Sequence, residues 1–200
     1  FGLGTGATSL IARHIGGDDK TAADNAAEHA LVLAVGVGIG IVAMALGLRV
    51  PILAALGAHG EALHMAAAYF GIVAPGFLLA IVNVTCSSIL SGEGDTRTPM
   101  AVQGMGTILN IILDPLFIFG ADMGIRGAAT ATVVSQAAAF AAFIVYILVR
   151  KQSYVEFRFR HFVPSARIIG DILRVGLPAS TSMMIMAVGG MFYNRIVSVF

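Results

Sequence analysis

The sequence has few charged residues, no tryptophan and a single cysteine. Asp, Glu, Lys and Arg together make up 12% of its 200 residues, about half of the roughly 25% found in water-soluble domains. The net charge of +1 provides no basic field that would attract nucleic acid, so we expect no nucleic-acid partner. With only Cys86, neither a disulfide within the chain nor a cysteine-rich metal site can form.

Motifs for metal binding and for nucleophilic catalysis are missing as well. None of the five histidines stands at metal-ligand spacing from another histidine or from the cysteine. No serine has a neighbouring histidine that would suggest a nucleophile. We therefore expect a protein that is not an enzyme and that needs no cofactor or catalytic metal.

Apolar residues dominate what is present. They make up 58% of the chain, and the mean hydropathy is +0.89. A soluble protein of this size could hardly cover its surface with so few polar groups, whereas a protein surrounded by lipid does not need to. The composition and the long apolar runs predict an all-α polytopic membrane protein.

Five long apolar stretches are predicted to span the membrane. They cover residues 30–48, 63–90, 100–119, 128–149 and 176–200, and the end of another helix precedes them at 1–12. The stretch 30–48 measures roughly 29 Å as a helix, about one hydrocarbon core. We expect Arg49 and Pro51 to end it, and Pro75 to kink the next span. Both ends of the sequence are apolar and residue 1 is Phe, which predicts a longer parent chain.

Basic residues are concentrated in alternate loops. The first, third and fifth loops contain Arg13, Lys20, Arg97, Arg150, Lys151, Arg158, Arg160 and Arg167. The second and fourth loops contain only Arg49 and Arg126. Because short loops rich in Lys and Arg remain in the cytoplasm, we place loops 13–29, 91–99 and 150–167 inside the cell. Loops 49–62 and 120–127 are then outside.

Two glycine-rich runs, at 2–6 and 36–40, have the spacing of a dinucleotide-binding loop. Both lack the strand that precedes such a loop and the acidic residue that follows it. Small residues let membrane helices approach closely. The runs therefore predict close helix packing.

Asp114 is the main candidate for a functional residue, because it is the only charged residue in the span 100–119. A carboxylate within a membrane costs roughly 2.5–3.5 kcal/mol or more, and such residues mostly bind ions or protons. Asn110 is four residues earlier, on the same helical face, and Pro115 frees a backbone carbonyl near Ile111. These oxygens could bind a small hard cation such as Na⁺, or Asp114 could bind a proton. Alternatively, Asp114-Pro115 merely ends the helix near the outer interface.

Other polar side chains within the spans have two interpretations. A hydroxyl in a membrane helix usually bonds across helices or to its own backbone, whereas a buried amide is costlier to leave unpaired. Asn83 is therefore a better binding candidate than other polar residues of these spans, among them Thr85, Thr107, Thr130, Thr132, Ser135 and Gln136.

The stretch 92–95 matches the G-x-G-D pattern of intramembrane aspartyl proteases. That chemistry needs two aspartates sharing a proton, and the second would have to be Asp114. Asp95 lies in a loop beside Arg97, so the two aspartates should be at different membrane depths. This protease is the remote alternative.

The stretch Leu90 to Pro115, LSGEGDTRTPMAVQGMGTILNIILDP, resembles the signature of the multidrug and toxic compound extrusion (MATE) family. Residues 4–17 are similar to the end of its second helix, and residues 175–195 are similar to its seventh helix. The resemblance implies a helical bundle of two six-helix lobes that exports cationic or amphipathic compounds in exchange for Na⁺ or H⁺. Residues 1–149 would be most of the first lobe, 150–167 the cytoplasmic linker, and 168–200 the first helix of the second lobe.

The same resemblance implies a cation or proton site in the first lobe, in the DinF-like branch of the family. It assigns Asn110 and Asp114 to this site, with Asn83 and Thr132 matched by spacing. The family's first-helix aspartate has no counterpart here. The implied location is the plasma membrane, with the lipid bilayer, a small-molecule substrate and the remaining helices of the parent chain as partners. A related flippase for a lipid-linked saccharide is the alternative, and it would need more basic residues within the spans.

Overall fold

The computed structural model describes residues 2–149, 153–157 and 162–197. Six helices make up most of it: α1 (Gly2–Gly16), α2 (Lys20–Ala55), α3 (Gly60–Gly92), α4 (Arg97–Pro115), α5 (Ile125–Ile144) and α6 (Ala166–Val197). Wider π-helical turns extend α4 over Leu116–Gly120 and α5 over Val145–Val149. Part of the predicted linker lies outside the described residues, including Arg150, Lys151, Arg158 and Arg160, as does the end of the last predicted span.

The all-α membrane architecture is confirmed. Five helical stretches of the described chain are long and apolar enough to cross a bilayer: 20–55, 60–92, 97–120, 125–149 and 166–187. Each contains or overlaps one of the predicted spans. A helix of about 20 residues matches the hydrocarbon thickness, so these helices extend beyond the apolar core at one or both ends.

Several predicted helix ends are wrong for this reason. Helix α2 continues past Arg49 and Pro51 to Ala55, because a proline removes one backbone hydrogen bond and the turns beyond it can still form. It also begins at Lys20, within the predicted loop 13–29, where the Asp19 carboxylate accepts a hydrogen bond from Ala22 N at 3.0 Å. Such a side-chain cap starts a helix in polar sequence. Helix α6 likewise begins at Ala166, ten residues before the predicted span.

Helix α3 occupies the middle of the bundle, with α1, α2, α4 and α5 packed around it. Small side chains make this close packing possible. One apolar cluster joins α1, α2 and α3 through Ala7, Leu10, Ile11, Ala23, Ala26, Ala27 and Ile89. The other joins α3, α4 and α5 through Val82, Cys86, Leu90, Val102, Ala139 and Phe143.

Helices α1 and α6 are in direct backbone contact. A Cβ atom on Gly6 would collide with the carbonyl oxygen of Ile172, and one on Gly176 would lie 2.6 Å from the carbonyl oxygen of Gly2. The prediction of close packing is therefore confirmed for the run 2–6. In the run 36–40 only Gly38 packs closely, against Leu78, and its two glycine neighbours meet open space.

Three loops meet at one end of the bundle. Residues 153–157, which we call the connecting segment, lie against the first turns of α2 and the loop after α3. Lys20 Nζ is 2.7 Å from Glu156 Oε1, and Glu156 N donates to Asp24 at 2.9 Å. These contacts bring described parts of the three predicted cytoplasmic loops to the same end, as a consistent membrane topology requires.

Glu93 is the main anchor of the connecting segment. Its carboxylate accepts hydrogen bonds from Ser153 Oγ at 2.6 Å, Tyr154 N at 2.9 Å and Val155 N at 3.2 Å. Burial raises the pKa of this carboxyl group, although the three donors partly offset the effect. A charged acceptor shared by three donors holds this segment against the end of α3.

Replacing Gly6 by alanine should destabilise the α1–α6 contact by about 1–3 kcal/mol, because the new methyl group meets backbone that cannot rotate away. The thermal unfolding midpoint of the full-length protein in detergent measures this. Gly170→Ala is the matched control, since Gly170 lies on α6 with open space around it and alanine favours a helix. An unchanged or higher midpoint for Gly6→Ala would contradict the backbone contact.

Replacing Glu93 by alanine should release the connecting segment. A hydrogen bond to a charged group contributes roughly 1.5–3 kcal/mol, so amide exchange at Tyr154 and Val155 should accelerate about ten-fold or more. Hydrogen–deuterium exchange of the full-length protein measures this. Glu61→Ala, at an exposed position in the first turn of α3, is the control and should leave exchange in the segment unchanged. Equal exchange in both variants would show that Glu93 does not hold the segment.

Candidate functional site

A polar cleft of about 230 Å³ opens between α3, α4 and α5. Asn83, Asn110 and Thr132, three of the four predicted site residues, line it. Four further polar side chains contribute to its wall: Gln103, Thr107, Ser135 and Gln136. The structure thus brings together amide and hydroxyl groups from three helices within the membrane-spanning part of the bundle.

Asp114, the fourth predicted residue, lies one helical turn beyond the cleft. Asn110 Nδ2 donates to its Oδ1 at 3.3 Å, so the two side chains share a face of α4, as their spacing predicts. The side chain of Asp114 is half-buried. The chain remains helical through Pro115 to Gly120 by a π turn, so Asp114-Pro115 does not end the helix. Such π turns occur frequently at functional sites.

Asn83 has an unusual environment. It is 5% exposed, and its Nδ2 donates both to the backbone oxygen of Gln136 at 2.9 Å and to its Oε1 at 2.8 Å. Its Oδ1 has no hydrogen-bond partner within the described residues, and neither does the buried hydroxyl of Ser135. Buried polar atoms are nearly always paired, so two unpaired oxygens in one cleft are a feature that a bound cation or hydrogen-bond donor would explain.

The threonine hydroxyls instead bond to the backbone of their own helices. Each donates its hydroxyl proton to the carbonyl oxygen four residues earlier: Thr85 to Ile81, Thr107 to Gln103, Thr130 to Arg126 and Thr132 to Ala128, all at 2.9–3.0 Å. This local bond uses the proton and leaves the oxygen able to accept. Thr132 therefore lines the cleft as an acceptor oxygen.

Sequence reasoning missed Gln103. It is seven residues before Asn110, which places both on one face of α4, and its Nε2 donates to Ser87 Oγ at 3.0 Å. The helical spacing 103, 107, 110 and 114 could have revealed this polar stripe. Ser135 and Gln136 were visible as polar residues, but their pairing with α3 requires the packed structure.

The chemistry of the cleft suits a small cation or a proton better than a transition metal. Its polar groups are amides and hydroxyls, with one carboxylate a turn away, and these are hard oxygen ligands. Among residues 2–149, 153–157 and 162–197, no group of three or more His, Cys, Asp or Glu side chains gathers that could hold a metal.

Asp95 and Asp114 do not form a protease dyad. Asp95 lies at the start of α4, where it accepts hydrogen bonds from Arg97 N at 3.1 Å, Thr98 N at 3.0 Å and Tyr146 Oη at 2.8 Å. Burial tends to raise the pKa of this carboxyl group, but the hydrogen bonds hold it below its usual value. Seventeen residues of helix separate Arg97 from Asp114, a distance of about 26 Å. Two carboxylates this far apart cannot share a proton.

Asn83 and Ser135 should respond differently to truncation. Asn83→Ala leaves the amide oxygen of Gln136 without its donor and should cost about 1–3 kcal/mol of stability. Ser135→Ala removes a hydroxyl that has no partner in the described chain, so it should be neutral or slightly stabilising. The unfolding midpoints of both variants of the full-length protein test this. A Ser135→Ala variant as unstable as Asn83→Ala would show that the hydroxyl is bonded within the protein.

Comparison with known proteins places these features in a family. A family profile described as MatE matches residues 1–116. The chain is 32% identical over 197 residues to the probable multidrug resistance protein NorM of Thermotoga maritima, covering 96% of this chain and 42% of NorM. It is 27% identical over 192 residues to the multidrug export protein MepA of Staphylococcus aureus strain MRSA252, with the same coverage.

Solved structures agree. The crystal structure of a MATE protein in complex with MaD3S superposes on 97% of this chain with a TM-score of 0.93 and 39% sequence identity, and the match covers 44% of that protein. The chain therefore spans less than half the length of the relatives it matches. The profile match, the curated relatives and the shared fold show that this chain belongs to the multidrug and toxic compound extrusion (MATE) family of membrane transporters.

Proposed function

We propose that the transporter containing this chain is a secondary active antiporter that exports cationic or amphipathic compounds in exchange for Na⁺ or H⁺. The observation that carries this proposal is the half-buried pair of Asn110 and Asp114, placed beside a polar cleft inside a membrane-spanning bundle. Intramembrane carboxylates are costly, and they typically mark ion or proton pathways. The relatives named as multidrug proteins support the class of substrate.

The ion-binding site in this proposal centres on Asp114 and Asn110. Asn83 Oδ1 and the hydroxyl oxygens of Thr132 and Ser135 are additional oxygen ligands available in the adjoining cleft. Binding of Na⁺ or a proton changes the charge at Asp114. A ligand shifts a conformational equilibrium when it binds two states with different affinity, and a charge change within a bundle provides such a difference.

We further propose that residues 1–149 are part of the first lobe, 150–167 the linker, and 168–200 the start of the second lobe. The α1–α6 contact would then join the two lobes. The five hydrogen bonds and ion pairs that Glu93, Lys20 and Asp24 make with the connecting segment support a linker that is docked on the first lobe.

The charge distribution supports an orientation in the plasma membrane with loops 13–29, 91–99 and 150–167 in the cytoplasm. The contacts among Lys20, Glu93 and the connecting segment are consistent with this orientation, since they join these three regions at one end.

A flippase for a lipid-linked saccharide is the less favoured alternative. Such a protein would need basic side chains within the spans to bind a pyrophosphate group. The polar cleft has none among its lining residues, which favours a cation-binding role. The side chain of Arg195, near the end of α6, lies outside the described residues.

Asp114→Asn should abolish export while leaving the protein folded, because the amide retains the hydrogen-bonding shape but cannot change charge. The measurement is efflux of a fluorescent cationic dye by the full-length protein, reconstituted in vesicles and driven in turn by a Na⁺ gradient and by a H⁺ gradient. The gradient that drives efflux identifies the coupling ion. Asp122→Asn, in the exposed turn before α5, is the control and should transport normally.

Two results would contradict the proposal. Full efflux by Asp114→Asn would remove Asp114 from the coupling mechanism. Absence of dye efflux under both gradients, from a protein shown to be folded by its unfolding transition, would contradict drug export and favour the flippase.

A further inference from the structure

A second cavity lies on a different face of α3 from the polar cleft. It measures about 360 Å³, within the roughly 300–1,000 Å³ of ligand pockets. We call it the apolar groove, because all of its lining side chains are apolar, including Val35, Val82, Cys86, Phe140, Leu148 and Phe157. A pocket without hydrogen-bonding groups suits hydrocarbon.

The walls of the apolar groove are open to the surroundings of the bundle. Val32 and Val35 of α2 are 44% and 40% exposed, and Leu148 on the opposite wall is 50% exposed. These residues belong to stretches long and apolar enough to cross a membrane. Where the groove stays exposed in the full-length protein, it therefore faces acyl chains rather than water.

The apolar groove leads into a polar pocket at the end of the bundle. This polar pocket, of about 450 Å³, shares Ile147, Leu148 and Phe157 with the apolar groove. The side chains that it adds include Lys20, Ser153, Tyr154 and Glu156. An apolar channel with a polar mouth at the membrane surface has the shape and polarity of a phospholipid, with its chain in the groove and its headgroup at the mouth.

The charges at this mouth have both signs. Lys20 Nζ lies 2.7 Å from Glu156 Oε1 and 5.5 Å from the centre of the Tyr154 ring. An ammonium has three N–H donors, so Lys20 can bind a phosphate oxygen in addition to Glu156. Asp24 accepts from Glu156 N but is not among the side chains that line this mouth. Among the described lining residues, the ammonium of Lys20 and the carboxylate of Glu156 complement a headgroup that has an anionic phosphate and a cationic ammonium.

We propose that the apolar groove and its mouth form a binding site for phosphatidylethanolamine. One acyl chain lies in the groove, the phosphate binds Lys20, and the primary ammonium binds the carboxylate of Glu156. A choline headgroup has no N–H to donate to this carboxylate, and a glycerol headgroup has no positive charge. The bound lipid contacts α2, α5 and the connecting segment together, so it stabilises the docked segment.

Lipids with brominated acyl chains test this proposal, because they quench nearby tryptophan fluorescence. The chain has no tryptophan, and Phe157→Trp introduces an aromatic reporter at the junction of groove and mouth. Quenching is measured for the full-length protein with and without the introduced tryptophan, and the difference between the two is the quenching at position 157. Vesicles contain brominated phosphatidylethanolamine, phosphatidylcholine or phosphatidylglycerol at equal total lipid. Met44→Trp, at a 57% exposed site on α2 outside the groove lining, reports on bulk lipid.

The expected result is a preference of about five-fold for phosphatidylethanolamine over phosphatidylcholine at position 157, the factor that one charged contact provides. Position 44 should show no preference. In the double variant Lys20→Gln, Glu156→Gln, the ratio of quenching by phosphatidylethanolamine to quenching by phosphatidylcholine at position 157 should fall to about one. Native mass spectrometry of the protein without tryptophan substitutions provides an independent measurement, since the double variant should lose one retained phosphatidylethanolamine.

Three results would overturn the proposal. Equal quenching by all three lipids at position 157 would show an unselective surface. A preference for phosphatidylglycerol would show a site for anionic lipid. No quenching at position 157 would show that protein, rather than lipid, covers the groove. None of these results depends on drug transport, so the lipid site can fail while the antiporter proposal stands.

Discussion

The absence of water within a bilayer is the constraint on which this structure depends. Every polar group in a spanning helix must find its partner inside the bundle, and most do so locally, as the threonines of α3, α4 and α5 show. Against this background the unpaired oxygens of Asn83 and Ser135 are conspicuous. They line the same cleft as Asn110, which is one turn from Asp114, and have no hydrogen-bond partner among the described residues.

Close helix packing gives the cleft its geometry. Alanine and glycine allow α3 to lie against four other helices, so that Asn83 of α3 bonds Gln136 of α5 and Gln103 of α4 bonds Ser87 of α3. At the end of the bundle a different interaction takes over. Carboxylates at Glu93 and Asp24 accept from backbone N–H groups of the connecting segment, and Lys20 pairs with its Glu156. Val155 and Phe157 of the segment add apolar contacts with the bundle.

Sequence patterns predicted the number and approximate position of the spans, but they placed several helix ends incorrectly. Apolar length reports the thickness of the membrane, whereas a helix ends where its backbone finds other partners. Capping by Asp19 starts α2 within polar sequence, and Pro51 interrupts one hydrogen bond without ending the helix. The glycine run 36–40 shows a similar limit, since composition allows close packing but only Gly38 has a neighbour to pack against.

The sequence by itself determined the helical membrane class, the family resemblance and the pairing of Asn110 with Asp114. These depend on composition and on a separation of four residues, which helical geometry turns directly into proximity. Only the tertiary structure decided that Asn83 bonds Gln136, 53 residues away, and that the Ser135 hydroxyl finds no partner in the part of the chain that the structure describes. It also decided that α2, α5 and the connecting segment enclose an apolar groove. Contacts between distant segments depend on which helix faces meet, and no local periodicity specifies that choice.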